Sequence, residues 1–95
     1  MAETLEPKDF EPHVGRAFRV RDGRHVFTLV KVDVGQAADG WPRQLFNLIF
    51  HGPPGDVLPE GFYAVDVEDG PAFELYLMPI QTVARDRQDY QAAFN

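Results

Sequence analysis

Short runs of β-branched and aromatic residues, cut off by glycine, proline and aspartate, recur along the chain and predict strands rather than helices. Three stand out, at His25–Asp33, Gln44–His51 and Phe73–Ile80. A fourth, Phe62–Glu68, sets Tyr63, Val65 and Val67 on one side and Asp66 and Glu68 on the other, as in a half-exposed strand. Phe73, Leu75 and Leu77 likewise share a face, opposite Glu74 and Tyr76. In Gln44–His51 both parities are largely apolar, with Phe46, Leu48 and Phe50 against Leu45, Asn47 and Ile49, which predicts a central strand and the most buried one. His25–Val34 is mixed: Val26, Val30, Val32 and Val34 take one parity, Phe27 and Leu29 the other, so both faces are expected to be covered near its start.

The punctuation between these runs has physical content. Arg21-Asp22-Gly23-Arg24 carries the Asp and Gly that accept positive φ, and predicts a tight turn from Ala17–Val20 into His25–Asp33. Glu68-Asp69-Gly70-Pro71 predicts a hairpin pairing Phe62–Val67 with Phe73–Ile80. Gly35–Pro42 reads as a longer loop, and Gly52-Pro53-Pro54-Gly55 stops a strand because proline lacks the amide hydrogen that a ladder needs. Helix is scarce. Pro7–His13 offers one turn with Phe10 as its only apolar anchor, and Thr82–Gln91 is loop with at most a short helix capped by Thr82. The expectation is an all-β fold, a small antiparallel barrel or sandwich of about five to seven short strands. At 95 residues it forms a single domain, 1–95, with residues 1–8 as a flexible lead.

Composition narrows the chemistry. There is no cysteine, which removes disulfides, thiolate metal sites and cysteine nucleophiles and favours a reducing, cytoplasmic setting. There is no serine either, so a serine triad is impossible. Met1–Lys8 has none of the basic and apolar layout of an export signal, and no apolar run approaches bilayer length, so no membrane association is expected. A net charge of −6 argues against nucleic acid as a partner, although Arg16, Arg19, Arg21 and Arg24 lie close together in the sequence. His13, His25 and His51 have no metal-ligand spacing. Asp66, Glu68, Asp69 and Glu74 gather around one turn that is too short for a calcium loop and reads as a solvated acidic edge. No phosphate-loop or dinucleotide glycine pattern occurs. No residue is therefore assigned a catalytic, cofactor-binding or metal-binding role, and no cofactor is expected.

Two surfaces remain as candidates. Trp41, at the tip of Gly40-Trp41-Pro42, is an interface candidate, and the competing reading lays its indole over an open end of the sheet. A pocket at the barrel mouth would be lined by His51, Tyr63, Asp66 and Tyr76, as a small-molecule-binding barrel or minimal enzyme requires.

Several segments also carry a likeness: Phe10-Glu11-Pro12 with Gly15 and Phe18, Leu45–Pro53, Leu58–Tyr63, Leu75–Ile80 and the ending Tyr90-Gln91-Ala92-Ala93-Phe94-Asn95. Together they resemble an uncharacterised family of small bacterial proteins of unknown function. The resemblance implies an accessory or adaptor domain, in the setting of a phage-tail-like assembly, with a protein partner or a homo-oligomer, and it carries over no catalytic residue. Tyr90 and Phe94, four residues apart, are expected to insert into the core as a last strand or short turn, against the usual fraying of termini.

Overall fold

The computed structural model describes residues 5–21, 23–35 and 45–94. Among these residues six strands form: β1 (Ala17–Val20), β2 (Val26–Val34), β3 (Phe46–Gly52), β4 (Gly61–Val67), β5 (Ala72–Pro79) and β6 (Gln88–Phe94). All neighbours are antiparallel, and the order β1-β2-β3-β6-β5-β4 closes on itself as a barrel. The expected strands thus exist within a residue or two of their predicted bounds. The hairpin of β4 and β5 runs from Gly61↔Leu77 to Asp66↔Ala72, and Asp69 takes the positive φ of its turn, 55°. No helix forms at Thr82–Gln91. Residues 81–87 are irregular, and the chain then enters β6, because Tyr90 and Ala92 alternate inward with period two.

Inward parity accounts for the core. Phe18 and Val20, Phe27 and Leu29, Phe46, Leu48 and Phe50, Val65 and Val67, Leu75 and Leu77, and Tyr90 and Ala92 are all buried. β3 is the most enclosed strand, with no exposed residue and four buried ones. The mixed parity of β2 has a local cause: pairing with β3 shifts register between Leu29 and Lys31, leaving Val30 as an extra residue. Phe27 and Leu29 point inward before this bulge, and Val32, opposite Leu48, packs on the core after it. Gly52 ends β3 where Phe27 and Tyr90 press on the backbone. A Cβ there would lie 2.6 Å from one Phe27 ring carbon and 3.0 Å from a Tyr90 ring carbon, so only glycine fits without a shift.

Both ends of the barrel are stoppered. At one, Pro7–Asp9 and Glu11–His13 form two single 3-10 turns, each with proline in its first turn. Between them Phe10 is fully buried, with ring centroids 4.6 Å from Phe73, 5.5 Å from Phe94 and 6.0 Å from Phe46. Leu5, half-buried, also packs against the core, within the segment expected to be a flexible lead. At the other end the loop after β3 lays Leu58 over the core, and its amide donates to the Tyr90 hydroxyl at 2.8 Å.

Phe10 lies outside every strand yet fills the core like a strand residue. Phe10→Ala is expected to lower stability by about 3–5 kcal/mol in urea unfolding, as other large-to-small core changes do. A loss below about 1 kcal/mol would show that the stopper is dispensable.

Candidate functional site

The interior is filled by phenylalanine and leucine, and among the described residues no polar or charged residue is buried, though the Tyr90 hydroxyl and the His13 Nδ1 atom are buried polar groups, so most polar chemistry lies on the outside. The outer face of the β4–β5 hairpin carries its most unusual feature. Phe62 stands opposite Tyr76 and meets it edge to face, with ring centroids 4.9 Å apart at 69°. Phe62 is nonetheless 72% exposed, which forgoes roughly 2 kcal/mol of burial for a side chain of this size. The Tyr76 hydroxyl donates to the Glu60 carboxylate, which holds the ring in place and raises the Tyr76 pKa above its ordinary value. Beside this pair run Ala64 and Glu74, then Asp66 and Ala72.

The four residues expected to line one pocket are dispersed. Tyr63 pairs with Leu75 and points inward, and its hydroxyl donates to the Pro59 carbonyl at 2.6 Å. Tyr76 pairs with Phe62 and points outward, so adjacent strands send the two tyrosines to opposite sides of the sheet. Asp66 is on the outer face, four residues along β4 from Phe62 and thus ~13 Å away. There it accepts from the Arg21 guanidinium at 2.7 Å, the chief cause of its lowered pKa. His51 is on the outer face of β3, across the barrel from β4, with Nε2 3.6 Å from an Asp89 oxygen that also accepts from Arg87 at 2.7 Å. The mouth pocket fails because the strand order separates β3 from β4 and strand parity separates Tyr63 from Tyr76. Trp41 lies outside the described residues.

The arginine group is also divided. Arg21 is tied to Asp66, and Arg24 donates to Asp56 at 2.8 Å, which holds the Asp56 carboxyl below the usual carboxylate range. Asp56 also sits 3.5 Å from His25 Nε2. Arg19 borders a shallow recess of about 140 Å³, in company with Asp66 and Glu68. Such a mixed surface lacks the continuous positive potential that a phosphate backbone needs. Among the described residues no three His, Cys, Asp or Glu side chains converge as a metal site would require. Among the described residues no helix is long and apolar enough to cross a membrane.

Fold and surface together define a small, closed antiparallel β-barrel with a solid core and an aromatic outer patch. Residues 5–94 match the family described as Domain of unknown function (DUF6916), and the chain belongs to that family. No curated protein and no solved structure matches it.

Phe62 was not singled out from the sequence, although a signal existed: it shares the parity of Asp66 and Glu68, the wet face of its strand. The two shifted tyrosines make a testable pair. Burial is the main cause of the raised pKa of Tyr90, and the bond to Glu60 that of Tyr76. A group whose folded pKa is raised contributes stability that is complete below its unfolded value, about 10 for tyrosine, and is lost as pH rises through the folded value. Stability is therefore expected to fall above about pH 10, with two tyrosines ionising late in ultraviolet titration. Tyr90→Phe should remove one of the late steps, and ionisation of every tyrosine at the ordinary pH would contradict the assignment.

Proposed function

We propose that this domain is a protein-binding accessory module, acting through the outer face of the β4–β5 hairpin. The observation that carries the reading is Phe62, a large apolar side chain held out in solvent by its contact with Tyr76. Aromatic side chains that are fixed in position and exposed are the typical anchors of protein interfaces, since they bury much area with little further loss of freedom. Glu60 adds a fixed acceptor beside the anchor through its bond to Tyr76. The solid core supports the same reading, because a ligand-carrying barrel needs interior volume that phenylalanine rings occupy here. A cytoplasmic setting and a place in a larger, phage-tail-like assembly belong to this proposal, the first supported by the absence of cysteine.

Phe62→Ser is expected to leave the melting temperature nearly unchanged, because an exposed position contributes little to folding. The same variant should lose a partner that the original chain retains in pull-downs from its native cells. A strictly monomeric chain that retains no partner, or a partner held equally by Phe62→Ser, would overturn the proposal.

A further inference from the structure

The barrel closes unevenly. β6 pairs with β3 along its whole length, from Phe46↔Phe94 to Gly52↔Gln88. On its other side it meets β5 only at Met78↔Gln91 and Pro79↔Tyr90, extended by one bond from the Ile80 amide to the Asp89 carbonyl at 3.1 Å. Below that point no ladder pair joins the two strands. Ala72–Leu77 of β5 is laddered to β4 alone, and Ala92–Phe94 of β6 to β3 alone. The ring of Phe10 touches Phe73 from one strand and Phe94 from the other, so it fills the inside of the seam. The backbone hydrogen bonds of the Phe10 segment run within itself and from Gly15 to Leu29, and none goes to β5 or β6. The six residues Ala72–Leu77 therefore present an unladdered edge of roughly 20 Å, each second residue offering an N–H and a C=O.

A free edge of this length is a template for another strand. We infer that the β5 edge is a docking site for an extended, basic segment of a partner protein, which adds to the sheet as a further antiparallel or parallel strand. This assignment rests on the protein-binding reading above and names the chemistry of the partner. Charge selects the occupant. Glu74, exposed at the middle of the edge, and Asp69, exposed in the turn at its lower end, pair with no cation among the described residues. An incoming strand would set alternate side chains beside Glu74 and Tyr76 on the outer face, and the others over Phe73 at the seam. A second copy of the chain fits poorly, because each copy carries a net charge of −6 and the edge centred on Glu74 would meet its own image.

The test is an amide NMR titration of the intact domain with synthetic nine-residue peptides of alternating valine and lysine or alternating valine and glutamate. A third peptide repeats the valine-lysine sequence with every amide N-methylated, which strips donors from both edges. The basic peptide is expected to shift the amides of Ala72–Leu77 and to bind at least about tenfold more tightly than the acidic one. N-methylation should abolish the shifts, and Glu74→Lys, exposed and outside the core, should reverse the charge preference. Equal binding of the basic and acidic peptides, or shifts confined to Phe62 and its neighbours, would overturn the edge assignment. A partner still captured through Phe62 in that event would leave the protein-binding reading standing.

Discussion

Tyr90 joins four parts of the molecule: β2, β3, β5 and the loop after β3. Its ring packs 4.6 Å from that of Phe27 in β2, and its backbone pairs with Phe50 in β3 and Pro79 in β5. Its hydroxyl, buried with the rest of the side chain, takes the Leu58 amide of the loop that stoppers one end of the barrel. A buried hydroxyl without a partner costs a few kcal/mol, and so does a buried amide. Each satisfies the other here, and position, loop and strand become mutually dependent. Gly52 shows how tightly the arrangement is drawn, since no Cβ can stand between Phe27 and Tyr90.

From this closure follows where the domain can act. A barrel of six short strands has an interior just wide enough for side chains, and Phe10, Phe18, Phe27, Phe46 and Phe50 fill it. Most polar groups are left on the outside, where Arg21 with Asp66 and Arg24 with Asp56 neutralise one another in exposed pairs and Arg87 with Asp89 in a part-buried one. Such pairs contribute little stability individually. They do remove free cations from an already acidic surface. Phe62 and the β5 edge lie on the same strand pair, so one side of the barrel offers an aromatic anchor, an unladdered backbone and carboxylates that pair with no cation among the described residues.

The elements were legible because each strand is a local matter: β-forming residues alternate and then meet Gly, Pro or Asp. The β4–β5 hairpin was legible for the same reason, its turn lying directly between its strands. Strand order was not, since β6 enters between β3 and β5 through contacts that no local pattern encodes. That is why His51 and Asp66 were grouped in one pocket and stand on opposite sides of the barrel. Tyr63 and Tyr76 stand on opposite faces, as strand parity already implied, Tyr63 sharing the side of Val65 and Val67 and Tyr76 lying opposite Leu75 and Leu77, while the register seats Tyr76 beside Phe62. The parity conflict in β2 was visible in the sequence, but its cause, a bulge at Val30, requires the partner strand. Phe10 was recognisable as an anchor, while the seam it fills exists only once the barrel has closed.

Tyr90 ties the last strand to the loop and so closes the core. Hydrogen exchange at the Leu58 amide in the original chain and in Tyr90→Phe tests it directly, because the variant removes only the acceptor. Slow exchange is expected in the original chain and exchange several-fold to about tenfold faster in the variant, on the scale of a hydrogen bond worth roughly 1 kcal/mol, with Leu48 in β3 still protected. Equal exchange of Leu58 in the two proteins would contradict it.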